Sequence, residues 1–137
     1  MTAFDLNGHV ALITGGNGGI GLGMAQGLAE AGASIAIAAR NMEKSEAAAE
    51  TLRKSGGDVV TIAVDVSSEQ SVKDMVAATL DKFGRIDSLI ANAGVNDRKP
   101  PQDYSAETWN WVVETNLSGP YCCAQAVYPA MKVQGGG

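Results

Sequence analysis

Short apolar runs alternate with longer amphipathic stretches along the whole of this chain. Apolar runs of about four to eight residues, bounded by glycine or polar residues, are typical of parallel strands covered on both faces. Stretches with apolar residues every three or four positions are typical of helices that bury one face. The apolar runs predict four strands, at residues 10–13, 34–39, 59–64 and 86–91.

The first predicted helix carries a stripe of glycines. The helix is expected to begin near Gly19 and to end at residues 31–32. Glycines recur every four residues, at positions 15, 19, 23 and 27. We expect this stripe to face the sheet, because a bare helix face can approach a sheet more closely than side chains permit.

The later helices begin with polar residues suited to cap their first turns. Asn41 is expected to cap the second helix. Ser67, with Gln70 three residues later, is expected to form a capping box for the third, and Ser105 to cap one long fourth helix. This alternation of strands and helices predicts an α/β fold with a doubly wound parallel sheet, the Rossmann fold, as a single domain over residues 1–137.

The chain ends soon after the fourth predicted helix. A crossover helix in such a fold normally leads to another parallel strand, and none follows here. The fourth strand would then form an apolar edge, which promotes aggregation. We therefore expect the chain to be the front part of a longer domain, truncated after the fourth βα unit.

Composition excludes several functions. Lys and Arg number 10 against 15 Asp and Glu, a net charge of −5, which argues against nucleic-acid or anionic-membrane binding. No apolar run is long enough to cross a bilayer, and the N-terminus lacks a secretion-signal pattern. The two cysteines, Cys122 and Cys123, are adjacent, and no cluster has metal-ligand spacing. We expect a cytoplasmic protein with no metal.

A glycine-rich turn joins the first strand to the first helix. Residues 14–21 read Thr-Gly-Gly-Asn-Gly-Gly-Ile-Gly. Such a turn brings the backbone close to a ligand and directs the free N–H groups of the helix start at an anion. Two registers fit a dinucleotide-binding motif and place a pyrophosphate at the same helix start. One uses Gly16, Gly18 and Gly21; the other uses Gly15, Gly19 and Gly21.

The end of the second strand distinguishes the two nicotinamide dinucleotides. Sites for NAD usually carry an Asp or Glu there, but none occurs between Glu30 and Glu43, and Arg40 stands in that region. A guanidinium can bind a 2′-phosphate with two hydrogen bonds, whereas a carboxylate repels it. Arg40 therefore predicts NADP, with NAD as the second choice. The alternative is a solvated arginine at a strand end.

Several motifs, each at the end of its own element, together resemble the classical short-chain dehydrogenase/reductase family over essentially the whole chain. They are the glycine turn, residues 65–66 after the third strand, residues 92–94 after the fourth, and Asn116 in the long helix. Two positions depart from the family's pattern. Gly18 stands where a basic residue is frequent, and Ala91 where a first asparagine is common.

The resemblance implies a cofactor site and one catalytic residue. Asp65 would contact the adenine amino group, and Val66 would lie beside the ring. Asn116 would hold a water in a proton relay, whereas the alternative is an amide that bonds its own helix backbone. The full cofactor set implied is Gly15, Asn17, Gly19, Ile20, Gly21, Arg40, Asp65, Val66, Asn92, Ala93 and Gly94.

The resemblance also implies hydride transfer between nicotinamide and an alcohol or carbonyl carbon of a small molecule. The family uses a serine, a tyrosine and a lysine four residues after the tyrosine. Tyr128 and Lys132 have that spacing but precede the position of a fifth strand, and Pro129 suits a helix end better than a catalytic helix. We therefore expect the catalytic serine, tyrosine and lysine to be missing.

Two hypotheses follow from this sequence. The first is an NAD(P)-dependent oxidoreductase whose 137-residue chain alone is inactive. The second is a non-catalytic dinucleotide-binding fragment. Since the long helix builds subunit contacts in the family, we also expect a homo-oligomer, with Trp111 as an interface candidate.

Overall fold

The computed structural model describes residues 4–137 as alternating strands and helices. The strands are β1 (Val10–Thr14), β2 (Ser34–Ala39), β3 (Val59–Ala63) and β4 (Ser88–Ala91). The helices are α1 (Gly19–Glu30), α2 (Met42–Lys54), α3 (Glu69–Phe83), α4 (Ala106–Val113) and α5 (Gly119–Gln134), with a 3-10 turn at Pro101–Asp103 and a π-turn at Glu114–Ser118. Within residues 4–137, none of the helices is long and apolar enough to cross a bilayer.

The four strands form one parallel sheet in the order β3-β2-β1-β4. Leu12 in β1 pairs with Ala36 of β2 on one side and with Leu89 of β4 on the other. After β3 the chain crosses back to the far side of β1, so the strand order reverses between β1 and β4. A crevice opens at such a reversal, outside the carboxyl ends of the strands. The predicted doubly wound α/β fold is confirmed.

Alternate residues of the strands point into two separate cores, because side chains of a strand alternate between its faces. One core lies between the sheet and helices α3 and α5, and contains Leu12, Ala36, Met75 and Cys123. The other lies between the sheet and helices α1 and α2, and contains Ile13, Ile35, Ala25 and Ala49. The sheet is therefore covered on both faces.

The predicted glycine stripe of α1 does not face the sheet. Gly21, Ala25 and Ala29 are the buried residues of this helix. Gly23 and Gly27 are exposed, and a Cβ on either would meet nothing within 4 Å. Small residues do line the sheet-facing side of α1, as expected, but they are not the residues that were predicted. One glycine and two alanines make this contact in place of the predicted glycine stripe. The buried residues are offset by two positions from the predicted stripe, which corresponds to a rotation of about 200° around the helix axis.

The helix caps follow the sequence with one exception. Asn41 and Ser105 cap α2 and α4 as predicted, each accepting a bond from the backbone N–H three residues later, at 2.9 and 3.1 Å. Ser68, rather than Ser67, caps α3. The hydroxyl of Ser67 instead donates to the Asp65 carboxylate at 2.6 Å, and hydrogen bonds to a charged acceptor are the stronger kind. The predicted capping box is wrong.

The long fourth helix is interrupted by the π-turn. The N–H of Gly119 donates to the carbonyl of Glu114, five residues earlier, and α5 then continues to Gln134. Pro129 lies inside α5, so the prediction that it suits a helix end is wrong. Such π-turns occur frequently at functional sites, and this one contains Asn116.

Candidate functional site

A cleft of about 890 Å³ opens at the carboxyl ends of the strands. It lies at the reversal between β1 and β4, where open α/β sheets bind ligands. Its walls come from the segments that follow each strand and from the end of the α4 region. The lining includes most predicted site residues: Gly15, Asn17, Arg40, Asp65, Val66, Asn92, Ala93 and Gly94.

The glycine turn after β1 forms one end of the cleft. Gly15 and Gly19 have φ values of +66° and +53°, a region that glycine adopts without steric cost. A Cβ on Gly21 would lie 2.5 Å from Nδ2 of Asn92 and 3.0 Å from the carbonyl carbon of Gly15. The left-handed positions and the close approach thus fall on the Gly15, Gly19 and Gly21 register. Gly21 admits no side chain there.

The start of α1 has the features of an anion site. Its first turn holds no acidic residue, and Gly18, the N-cap, offers no side chain to its N–H groups. Gly19, Ile20 and Gly21 supply the first backbone N–H groups, which carry the positive end of the helix dipole. The Ile20 side chain is 74% exposed, and its backbone N–H belongs to this group of donors. These three residues lie beside the cleft lining rather than in it.

Asn92 joins the ends of β4 and β1. Its Nδ2 donates to the carbonyl oxygens of Thr14 and Gly15, both at 3.2 Å. The N–H of Ala93 donates to Oγ1 of Thr14 at 3.1 Å. Carbonyls beyond the end of a buried strand need such donors. Thr14 was quoted from the sequence only as part of the motif, and the structure shows that it positions the segment after β4.

Asn17 joins the glycine turn to the start of α2. Its Nδ2 donates to the carbonyl of Asn41 at 3.3 Å and to Oγ of Ser45 at 3.1 Å. Ser45 is fully buried, and its hydroxyl donates to the same Asn41 carbonyl at 2.9 Å. The amide of Asn17 therefore fixes the distance between the turn and α2. Its direct contact with a cofactor stays a prediction.

Arg40 and Asp65 follow β2 and β3 on the same wall. Asp65 accepts from Oγ of Ser67 at 2.6 Å and from the Ser67 N–H at 3.0 Å. The hydroxyl bond is the largest cause of a lowered Asp65 pKa, with the N–H bond and then the charge of Arg40 adding to it. Asp65 is therefore a carboxylate at neutral pH, able to accept a hydrogen bond from an amino group.

Asn116 holds the segment after β4 in place. Its Oδ1 accepts from the N–H of Val95 at 2.7 Å, and its Nδ2 donates to the Val95 carbonyl at 2.8 Å. These bonds go to the segment after β4 rather than to its own helix backbone, which was the alternative drawn from the sequence. Asn116 is thus a positioning residue for one wall of the cleft. A role in a proton relay stays a prediction.

Several lining residues are missing from the predicted set, among them Lys44, Trp111 and Thr115. Lys44 lies in the first turn of α2, four residues after Arg40. This spacing of two cations on either side of a helix cap was the sequence signal that could have identified Lys44 as a site residue. Trp111 lies on the cleft wall and is 40% exposed, and its role at a subunit interface stays a prediction. Thr115 is buried in the π-turn, which the sequence did not predict.

The Tyr-x-x-x-Lys pattern lies away from the cleft. Tyr128 is 60% exposed on α5, and Nζ of Lys132 lies 6.0 Å from the centre of its ring. Among residues 4–137, no tyrosine belongs to the cleft lining. Over the same part of the chain, no three His, Cys, Asp or Glu side chains are grouped to hold a metal ion.

Comparison with known proteins identifies the family. The model of the short chain dehydrogenase family matches residues 9–137. The chain therefore belongs to the short-chain dehydrogenase/reductase family, as its motifs indicated.

Individual relatives agree with this assignment. The chain is 40% identical over 132 residues to an uncharacterized oxidoreductase from Thermotoga maritima, covering 96% of this chain and 52% of that protein. It is 40% identical over 134 residues to the D-threitol dehydrogenase of Mycolicibacterium smegmatis, covering 98% and 52%. The crystal structure of NAD⁺-bound xylitol dehydrogenase matches with a TM-score of 0.92 at 37% identity, covering 96% of this chain and 51% of that one. The chain spans about half the length of the curated relatives it matches.

Proposed function

We propose that this chain supplies the dinucleotide-binding site of an NAD(P)-dependent oxidoreductase that transfers hydride between nicotinamide and an alcohol or carbonyl carbon of a small molecule. The observation that carries the proposal is the cleft at the strand reversal, with an open helix start and an exposed arginine on its rim. Relatives named as dehydrogenases of threitol and xylitol support an alcohol substrate.

The cleft residues suit the parts of such a cofactor. The N–H groups at the start of α1 would bind the pyrophosphate, and Gly21 keeps the approach clear. The Asp65 carboxylate would accept from the adenine amino group, with Val66 beside the ring. Asn92, held on β1, would position the cofactor-facing backbone after β4. A bound nicotinamide supplies the hydride donor or acceptor.

NADP is the cofactor favoured by the charge on the rim. The residue after β2 is Arg40, which is exposed, and the end of this strand carries no carboxylate to repel a 2′-phosphate. A guanidinium can donate two parallel hydrogen bonds to one phosphate. NAD is the second choice, because the nicotinamide and pyrophosphate contacts are common to both cofactors.

Reversing the charge of Arg40 tests this preference. We expect Arg40→Glu to weaken NADPH binding by about tenfold or more, equal to about 1.4 kcal/mol, and to change NADH binding by less than about twofold. Fluorescence titration of the purified chain with each nucleotide measures both constants. Lys54→Glu, at the opposite end of α2, is the matched control. Equal losses for the two nucleotides would exclude the 2′-phosphate role.

A second function, dinucleotide binding without turnover, is favoured by one observation. No tyrosine within residues 4–137 lines the cleft, so the described part of the chain offers no phenol to move a proton at the substrate oxygen. Tight binding of NADP⁺, with no oxidation of threitol or xylitol when NADP⁺ is supplied as the hydride acceptor, would support this function. Turnover that survives removal of Tyr128 but is lost on removal of Asn116 would instead support catalysis within the chain.

A homo-oligomer is part of the proposal. Trp109, Leu117 and Tyr121 are 66–68% exposed along the helical segment from α4 to α5. Large aromatic and aliphatic side chains are typical of the centres of subunit contacts. Light scattering coupled to gel filtration is expected to give a mass above one chain, and Trp109→Glu with Tyr121→Glu is expected to return it to a monomer.

A further inference from the structure

Lys44 reaches from the first turn of α2 across the glycine turn. A Cβ on Gly18 would lie 2.6 Å from Nζ of Lys44 and 2.8 Å from its Cε. The ammonium group therefore occupies the space in which a side chain of residue 18 would begin. The backbone of Gly18 is extended, with φ of −176°, so its conformation does not require glycine. In its observed position, the end of the Lys44 side chain fills the space that Gly18 leaves open.

The segment that carries Lys44 is fixed against the turn. The backbone N–H of Lys44 donates to Oδ1 of Asn41, and the carbonyl of Asn41 accepts from the Asn17 amide. Lys44 is thereby held on the same rim as Arg40, and both side chains line the cleft. Asn41, Met42 and Glu43 separate them along the chain, and Glu43 is an acidic residue in the first turn of α2. The first turn of α2 adds the positive end of a helix dipole.

The two cations on this rim have no paired counter-charge. Within residues 4–137, neither Arg40 nor Lys44 forms an ion pair with a carboxylate. Asp65, the acidic group on the same wall, is bound to Ser67, and the charge of Arg40 is only the third cause lowering its pKa. A doubly charged anion bound by both side chains would supply a counter-charge for each of them.

We propose that Lys44 is a second specificity-determining residue, which binds the 2′-phosphate of NADP(H) together with Arg40 from the space that Gly18 leaves open. This role rests on the proposed function. The guanidinium supplies two directed hydrogen bonds, and the ammonium supplies a compact point charge on a flexible stem. The positive charges that favour the phosphorylated cofactor thus come from residues around the start of α2 rather than from the glycine turn.

Two small nucleotides isolate this contact. The compounds 2′,5′-ADP and 5′-AMP differ only in the 2′-phosphate, so the ratio of their dissociation constants reports it without the nicotinamide. We expect Lys44→Gln to weaken 2′,5′-ADP binding about tenfold and to change 5′-AMP binding less than about twofold, measured by calorimetry on the whole chain at low salt. Lys54→Gln, about 15 Å further along α2, is the control and is expected to change neither.

A rescue variant separates this role from a loss of folding. Gly18→Lys combined with Lys44→Ala places an ammonium in the same space from the turn, and we expect it to recover most of the preference that Lys44→Ala loses. A preference that is abolished by Arg40→Gln and untouched by Lys44→Gln overturns the role of Lys44 and leaves the proposed function standing. Equal weakening of both nucleotides by Lys44→Gln, without rescue, also overturns it. Equal binding of both nucleotides by the unchanged chain overturns the NADP preference and this role together.

Discussion

Two glycines of α1, only two residues apart, are expected to respond in opposite directions to the same substitution. Gly21 faces Gly15 and Asn92 at the bottom of the glycine turn, and an added Cβ would lie 3.0 Å from the Gly15 carbonyl carbon and even closer to its oxygen. Gly23 is exposed, and an added Cβ meets nothing within 4 Å. Neither residue has a positive φ, so backbone strain does not distinguish them.

The expected magnitudes follow from these contacts. Forcing an extra methyl group against fixed backbone costs about 1–3 kcal/mol, and the better helix propensity of alanine returns about 0.5–1 kcal/mol. Gly21→Ala should therefore lower the free energy of unfolding by about 1–2 kcal/mol. Gly23→Ala has only the favourable part and should raise it by about 0.5–1 kcal/mol. For a domain of this size, the melting temperature should fall by roughly 3–10 °C and rise by roughly 2–5 °C respectively.

Thermal melts followed by circular dichroism measure both changes, and a nucleotide titration of each variant adds a second readout. Gly21→Ala should also weaken NADPH binding, because the shift needed to admit the methyl group moves the Gly15 carbonyl and the Asn92 amide. Gly23→Ala should leave binding unchanged. A destabilised Gly23→Ala variant, or equal effects of the two substitutions, would refute the assignment of Gly21, Ala25 and Ala29 to the sheet-facing side.

Three further predictions rest on other parts of the structure. Trp111 lines the cleft and Trp109 does not, so NADP⁺ should alter the tryptophan emission of a Trp109→Phe variant but not that of Trp111→Phe; equal responses would place the nucleotide elsewhere. Burial raises the pKa of Cys123 to about 11, so roughly one Cys123 side chain in a thousand is a thiolate at about pH 8. Iodoacetamide should therefore alkylate Cys122 first, and Cys123 only after unfolding. Equal rates of alkylation in the folded chain would contradict this prediction. The hydrogen bond from a neighbouring guanidinium is the largest cause holding the pKa of Asp87 below its ordinary value of 3.8. The stability that this carboxylate contributes is fully present above the ordinary pKa of 3.8 and is lost as the pH falls through the lowered pKa of the folded chain. Asp87→Asn should therefore lower the free energy of unfolding in urea melts by about 1 kcal/mol at about pH 7, and by progressively less towards about pH 2. A loss that does not depend on pH would refute this prediction.

The strands and their order along the chain could be predicted because apolar runs such as residues 34–39 leave few other options. A strand that is apolar at nearly every position is typical of one covered on both faces, as in a parallel sheet between helices. The segments that follow the strands were predicted for a related reason. The carboxyl ends of parallel strands lie at one edge, so Arg40, Asp65 and Asn92 meet there although they are far apart in sequence.

The details that sequence reasoning missed have equally local causes. Small residues recur every four positions in two phases of α1, and composition alone does not say which phase packs on the sheet. Ser67 and Ser68 are both competent caps, and the choice between them depends on the Asp65 carboxylate, which captures the first of them. The π-turn has no local sequence signal, and its bonds to Val95 form between segments that are distant along the chain.

Lys44 was missed because a lysine on a helix surface is normally solvated, and its reach is visible only in three dimensions. In the sequence alone, Gly18 replaces a basic residue that is frequent at this position of the family, and this weakens the prediction of NADP. In the structure, the same glycine makes room for an ammonium group delivered by α2. The two residues have to be interpreted together.

The central claim is that the cleft at the strand reversal binds a nicotinamide dinucleotide with its pyrophosphate at the start of α1. The most direct test follows the backbone amide resonances of the ¹⁵N-labelled chain during titration with NADP⁺. We predict that the shifted amides cluster at residues 15–21, 40–44 and 92–95, with saturation at one equivalent. Shifts concentrated instead around the smaller cavity between α3 and α5, near Val72 and Ala126, would contradict the claim, as would the absence of any shift at a saturating nucleotide concentration.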